Sequence, residues 1–247
     1  WVRGIFVPIR YIINITKGGT MDKLFGTDGM RGTVNIFPMT PEMALRVGKA
    51  VALVFRNCTK GTCNKPKFVI GKDTRISGDM FENALTSGLV SMGADVVLIG
   101  TMPTPAIAHV TKSLNANAGI VISASHNPAE DNGIKIFSGD GFKLPADIEE
   151  EIEKHVLDKD INAGHIKVEM IGKATRVDDA QGRYIEFSKN SIGTMSLHKI
   201  KVVLDCAHGA AYRVAPTIFE ELGAEVMVLN NTPDGLNINK NCGALHP

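Results

Sequence analysis

Residues Gly119–Phe137 read GIVISASHNPAEDNGIKIF. An apolar run enters Ser-Ala-Ser-His-Asn-Pro, passes Asp131-Asn132-Gly133 and returns to a second apolar run that carries Lys135. A short apolar run bounded by turn residues is the mark of a buried strand, so the segment predicts strand, loop, strand. Turn residues suffice to connect two strands; two serines, a histidine and a lysine need a further reason. Ser125 falls just past the carboxyl end of the first run, where open α/β sheets place their chemistry.

Outward from this stretch, helix-like and strand-like segments alternate. TPEMALRVGKAVALVFRN starts with Thr40 as an N-cap, Pro41 in the first helical position and Glu42 just inside. KFVIG reads as a strand, SGDMFENALTSGLVSMG as a helix closed by Gly93, and ADVVLIG as the next strand. TPAIAHVTKSL is a helix from a Thr-Pro cap, AGIVIS and NGIKIFS are strands, and PADIEEEIEKHVL is a helix whose acidic front suits its dipole. After a polar interval at about 158–180 the pattern restarts, with DAQGRYIEFSKNSI (helix), KIKVVLDC (strand), YRVAPTIFEELG (helix) and AEVMVLN (strand).

Strands separated by helical crossovers define the α/β class. The expectation is layered α/β/α domains with mixed sheets. A complete first domain occupies about 21–180, and a second, truncated one begins at about 181 and runs to 247. Residues 1–20 hold Trp1, three basic residues and no acid. Pro8 and Arg10 interrupt the apolar stretch that a signal peptide requires, and the segment is too short and charged to span a bilayer. It reads as an extension upstream of Met21.

Of the 247 residues 44% are hydrophobic, which is enough for packed cores. Lys and Arg total 27 against 26 Asp and Glu, a formal charge of +1, so nothing favours a nucleic-acid or anionic-membrane surface. Cys58, Cys63, Cys206 and Cys242 form no Cys-x-x-Cys pair and no zinc set; they read as reduced cytosolic thiols. KPKFVIGKDT lacks the leading glycine of a P-loop and has Asp73 where Ser or Thr belongs. No Gly-x-Gly-x-x-Gly and no Gly-x-Ser-x-Gly occurs.

Three constellations remain. Around Ser125 stand His126, Asn127 and Lys135, donors and cations that suit a phosphate better than a bare alkoxide. The same residues would also make a plain hydrogen-bonded connection with a solvated histidine and lysine. In FGTDGMRG, Phe25–Gly32, three glycines leave Thr27, Asp28 and Arg31 on a backbone that can approach a ligand closely, with an arginine fork suited to phosphoryl oxygens. A glycine-rich turn with an Asp–Arg pair is the plainer alternative. GKDTRISG, Gly71–Gly78, could support an anion through Lys72, Asp73 and Arg75, or simply form an ion-pair network behind the site.

Taken in order, FGTDGMRG, GKDTRISG, MPTPAIA, GIVISASHNPAEDNGIKIF and GRYIEF resemble the motif series of the α-D-phosphohexomutase superfamily, from about Asp22 to the end of the chain. Ser-Ala-Ser-His-Asn-Pro behind FGTDG resembles its glucosamine-phosphate branch more than the mannose- and glucose-phosphate branches. The resemblance implies an isomerase that moves a phosphoryl group between the 6- and 1-positions of a hexosamine phosphate. The route is a phosphoserine and a bisphosphate, on the way to UDP-N-acetylglucosamine. Ser125 matches the phosphoserine, whose phosphate also ligates Mg2+. Lys135 matches the general acid/base, Arg31 the arginine near the phosphoserine, and His126 and Asn127 the rest of its loop. A cytoplasmic enzyme, with neither nucleic acid nor membrane as partner and a homodimer at full length, is implied too. The family's Asp-x-Asp-x-Asp-Arg metal loop, its Glu-x-Ser-Gly-His sugar loop and its C-terminal phosphate loop do not occur in these residues. The segment alone is therefore expected to be inactive. The other branches, or a non-catalytic sugar-phosphate-binding module, are the alternatives.

Overall fold

A computed structural model describes residues 23–26, 29–58, 65–158, 161 and 166–246. The extension read before Met21, Thr27, Asp28 and Cys63 lie outside the described residues. Strands β1 (Met30–Thr33), β2 (Lys67–Lys72), β3 (Asp95–Thr101), β4 (Ala118–Ile122), β5 (Asp131–Ser138) and β6 (Ala174–Arg176) form one mixed sheet ordered β1-β5-β4-β2-β3-β6. β4, β2, β3 and β6 run parallel, while β5 is antiparallel to both β4 and β1. The connection 123–130 is too short for a crossover, so β5 can only turn back on β4. Every residue of β4 is buried, as a strand covered on both faces requires.

Helices α1 (Pro41–Cys58), α2 (Ser77–Ser91), α3 (Thr104–Ser113), α4 (Ala146–Leu157) and α5 (Ala180–Asn190) divide between those faces. Ile120, Ile122, Ile134 and Ile136 point into a core built with α1, α2 and α4. Val69, Val97, Ile99 and Val121 meet α3 and Ala180 of α5 on the other side. The period-two alternation of β4 and β5 thus fills both cores at once. Beyond them, β7 (Lys201–Asp205) and β8 (Glu225–Leu229) pair in parallel. α6 (Val214–Glu221) packs against this pair and against α5. Val203, Met227 and Leu229 are exposed on the opposite face of the pair.

Most of the elements expected from the sequence form where they were placed. Thr40 caps α1, its Oγ1 accepting from the Met43 N–H at 3.3 Å. Three points differ. The polar interval 158–180 contains β6, whose Ala-Thr-Arg is exposed and too short to show alternation; its pairing partner β3 makes it a strand. FGTDGMRG ends inside β1, so Arg31 sits on a sheet edge and not on a turn. α3 is capped by Pro103 without a side-chain hydrogen bond, and Thr104 is its first helical residue.

α1 and α2 touch backbone to backbone. A Cβ on Gly88 would come within 2.2 Å of the Leu45 carbonyl oxygen, and one on Gly48 within 2.5 Å of that of Leu85. Gly88→Ala must push the helices apart and is expected to destabilise the protein by about 1–3 kcal/mol. Urea unfolding monitored by circular dichroism measures this, and an unchanged midpoint would show that the helices have room to spare.

Candidate active site

The loop after β4 sits at the edge of the sheet where β2, β3 and β4 all end. Ser123 is buried, and its Oγ accepts from the Ser125 N–H at 2.9 Å. Ser125 is exposed, and its hydroxyl has no hydrogen-bond partner among the described residues. Of the two serines, only the second offers a free oxygen to a ligand. Ser125 has φ +55, the left-handed region. For a non-glycine residue such backbone costs about 1–3 kcal/mol and persists only where its surroundings impose it.

The imposing groups are identifiable. The Arg75 guanidinium, almost fully buried, donates through Nη2 to the carbonyl oxygens of Ser125 (3.2 Å) and Asn127 (2.6 Å). Nη1 of Arg75 pairs with Asp73, whose other oxygen accepts from the Arg75 N–H at 3.0 Å. Burial pushes the guanidinium pKa down from its ordinary value, and the charge and hydrogen bond of Asp73 oppose that. Asn239 Nδ2 donates to the same two carbonyls, at 2.9 Å each. On the far side Asn127 Oδ1 accepts from Arg31 Nη1 at 3.3 Å, and Asn127 Nδ2 donates to Asp131 at 2.9 Å. Asp131 also accepts from Thr33 Oγ1 at 2.9 Å.

β1 and β5 bring the first motif to this loop. Gly29 has φ +91, and a Cβ there would lie 2.4 Å from the Ile134 carbonyl oxygen and 3.1 Å from Lys135 Cα. Only glycine lets the backbone at position 29 lie on β5 in this way. Lys135 stands opposite Val121 on the sheet face toward α3, and its Nζ makes no hydrogen bond or ion pair among the described residues. Lys72 is committed elsewhere, to Glu82 and Asp79 at 2.5 Å each, which makes it structural.

The structure therefore gathers Ser125, Asn127 and Arg31 directly, places exposed His126 between Ser125 and Asn127, and sets Lys135 on the adjoining strand. Asp131, Asn132 and Gly133 are not a turn: the turn closes one step earlier, from the Asp131 N–H to the Pro128 carbonyl at 3.2 Å, and β5 has already begun. Gly133 is needed there because a Cβ would strike the Ser123 carbonyl oxygen at 2.7 Å. Sequence reasoning placed Arg75 only in a supporting network, whereas it grips the loop itself. It did not find Asn239; the asparagine-rich NINKN was the one available signal.

The segment carrying Asn239 belongs to the β7–β8 unit and docks on the β2–α2 connection. Ile76 N–H donates to the Gly235 carbonyl at 2.9 Å, and Thr74 Oγ1 to that of His208 at 2.6 Å. Asp205 ties the segment together, accepting from the N–H groups of Ala207 and Gly243 at 2.8 Å and from Asn230 Nδ2 at 3.0 Å. Burial raises the Asp205 pKa, but these bonds outweigh it and hold the carboxyl below its usual range.

Residues 22–163 match the family described as phosphoglucomutase/phosphomannomutase, alpha/beta/alpha domain I, and the chain belongs to that family. Phosphoglucosamine mutases of Pelobacter propionicus and Syntrophus aciditrophicus are 57% and 58% identical, each over 92% of this chain. The chain spans about half the length of these curated relatives, 50% in both cases. A solved phosphoglucomutase/phosphomannomutase family protein from Burkholderia thailandensis is 26% identical with a TM-score of 0.69, over 86% of this chain and 45% of that one.

Arg75→Met would leave Asp73 buried beside no counter-charge and is expected to destabilise by roughly 3–5 kcal/mol. Adding Asp73→Asn should recover a large part of that loss. Urea midpoints of the single and double variants test the pair, and equal midpoints would count against it.

Proposed function

We propose that this chain is the phosphoryl-relay part of a phosphoglucosamine mutase, which interconverts glucosamine 6-phosphate and glucosamine 1-phosphate. One observation carries the reading: Ser125 presents an exposed hydroxyl, unpartnered among the described residues, on a left-handed turn at the carboxyl edge of the sheet. Identities of 57% and 58% to mutases named for glucosamine phosphate, against 26% to the Burkholderia protein, favour the amino sugar over glucose or mannose. We take 21–180 as the first domain and 181 as the start of the second, with α5 packing on both.

The residues divide the chemistry among them. In the first transfer the P–Oγ bond of phosphorylated Ser125 breaks with its electron pair on the serine oxygen. A P–O bond forms to the sugar hydroxyl, whose proton passes to Lys135. In the second, the other phosphoryl group of the bisphosphate returns to Ser125, and Lys135 gives the proton back to the freed sugar oxygen. Such transfers depend mostly on positioning and on neutralising charge, which suits the planar fork of Arg31 and the donors of the loop.

Magnesium belongs to the proposal only in part. Among the described residues no three His, Cys, Asp or Glu side chains cluster around one point. Asp73 and Asp131, the carboxylates tied to the loop, are already hydrogen-bonded to Arg75, Thr33 and Asn127. These residues do not make a magnesium site by themselves; a phosphate on Ser125 would contribute one oxygen to it. Of the described helices, none is long and apolar enough to cross a membrane.

In the full-length protein, Ser125→Ala is expected to cut glucosamine 1-phosphate formation by roughly four orders of magnitude or more. Lys135→Met should cost about 10²–10⁴-fold in kcat. Phosphopeptide mass spectrometry should place the phosphate on Ser125 and not on Ser123. Normal turnover with alanine at 125 would end the reading.

A further inference from the structure

One of the two carbonyls that Asn239 grips, that of Ser125, belongs to a peptide unit of particular consequence. In a trans peptide the C=O and the next N–H point in opposite directions. With the Ser125 oxygen turned toward Arg75 and Asn239, the His126 N–H of the same peptide faces the other way. That N–H has no partner among the described residues. The next gripped carbonyl, of Asn127, precedes Pro128, which has no N–H to offer. The clamp therefore does two things to the loop. It holds two partial negative charges against Arg75 and Asn239, and it leaves the His126 N–H, the next donor along the chain from Ser125, directed away from them. Both favour a dianionic group on that hydroxyl, as preorganised main-chain donors do at developing charge.

Resting on the phosphoserine reading, we propose that Asn239 is a positioning residue for phosphoryl transfer: it holds the Ser125 and Asn127 carbonyls so that the His126 N–H addresses the phosphoryl group. Asn239 reaches the loop from the second unit, across 114 positions of sequence from Ser125, whereas Arg75 comes from the first. Asn239 thereby lets the second unit act on the geometry of the reacting loop. Asn239 has φ +60, and its N–H donates to the Ala207 carbonyl at 2.9 Å, so its own placement is fixed by the Asp205–Gly243 segment.

The test compares Asn239→Ala and Asn239→Asp with wild type and Ser125→Ala in the full-length enzyme. Asparagine and aspartate have nearly the same shape, but an ionised carboxylate donates nothing and repels both carbonyls. Asn239→Ala should lower kcat about tenfold with KM for glucosamine 6-phosphate within about twofold, since the lost interaction acts on the transition state. Asn239→Asp should be slower still. Both should take up phosphate on Ser125 from the hexosamine bisphosphate more slowly than wild type, read by phosphopeptide mass, while thermal midpoints stay within a few degrees. Wild-type kcat in both variants, beside an inactive Ser125→Ala, overturns the role of Asn239 and leaves the phosphoserine reading standing. A loss expressed in KM and thermal midpoint together also overturns it, assigning Asn239 to holding the units together. An active Ser125→Ala removes both readings.

Discussion

A single buried guanidinium joins the loop after β4 to the end of the neighbouring strand β2. Arg75 leaves the end of β2, is neutralised by Asp73 two residues before it, and closes on the carbonyls of Ser125 and Asn127. A planar group with five donors can serve a carboxylate and two carbonyls at once; a lysine could not hold the same fork. Because Asp73 N–H also donates to the Ile122 carbonyl at 3.0 Å, the clamp is built on the last residues of two adjacent strands. The left-handed turn at Ser125 is thus tied to the carboxyl ends of β2 and β4.

From that point the arrangement extends in two directions. Toward β5 and β1, close backbone contacts at Gly29 and Gly133 bring Arg31 and Lys135 to the loop without intervening side chains. Toward β7 and β8, the Thr74–His208 and Ile76–Gly235 hydrogen bonds fasten the β2–α2 connection to the second unit, whose Asn239 returns to the same carbonyls. Membership of the phosphoglucomutase/phosphomannomutase family rests on the first unit. The second unit contributes main-chain control of its loop.

Much of this could be read from residues alone, for physical reasons that are specific to each element. The all-buried β4 and the half-buried β5 announced themselves by apolar runs, and the serine at the strand end by its company. Thr40 ahead of Pro41 marked a helix start because the cap is a local interaction. β6 gave no signal, since its three exposed residues become a strand only through β3. β1 was concealed inside a glycine motif. Arg75 and Asn239 were hardest to assign, because both recognise carbonyl oxygens, and every residue has one. A side chain that binds backbone leaves no complementary residue type elsewhere in the chain to betray it.

The orientation of the Ser125–His126 peptide has a consequence for heritable variation at this site. A donor that belongs to the main chain is inherited with the fold, whatever imidazole, amide or methyl group the codon at 126 specifies. Selection can therefore reshape the side chain at 126 without forfeiting that N–H. Only proline at 126, or a change among the groups that orient the peptide, would abolish it.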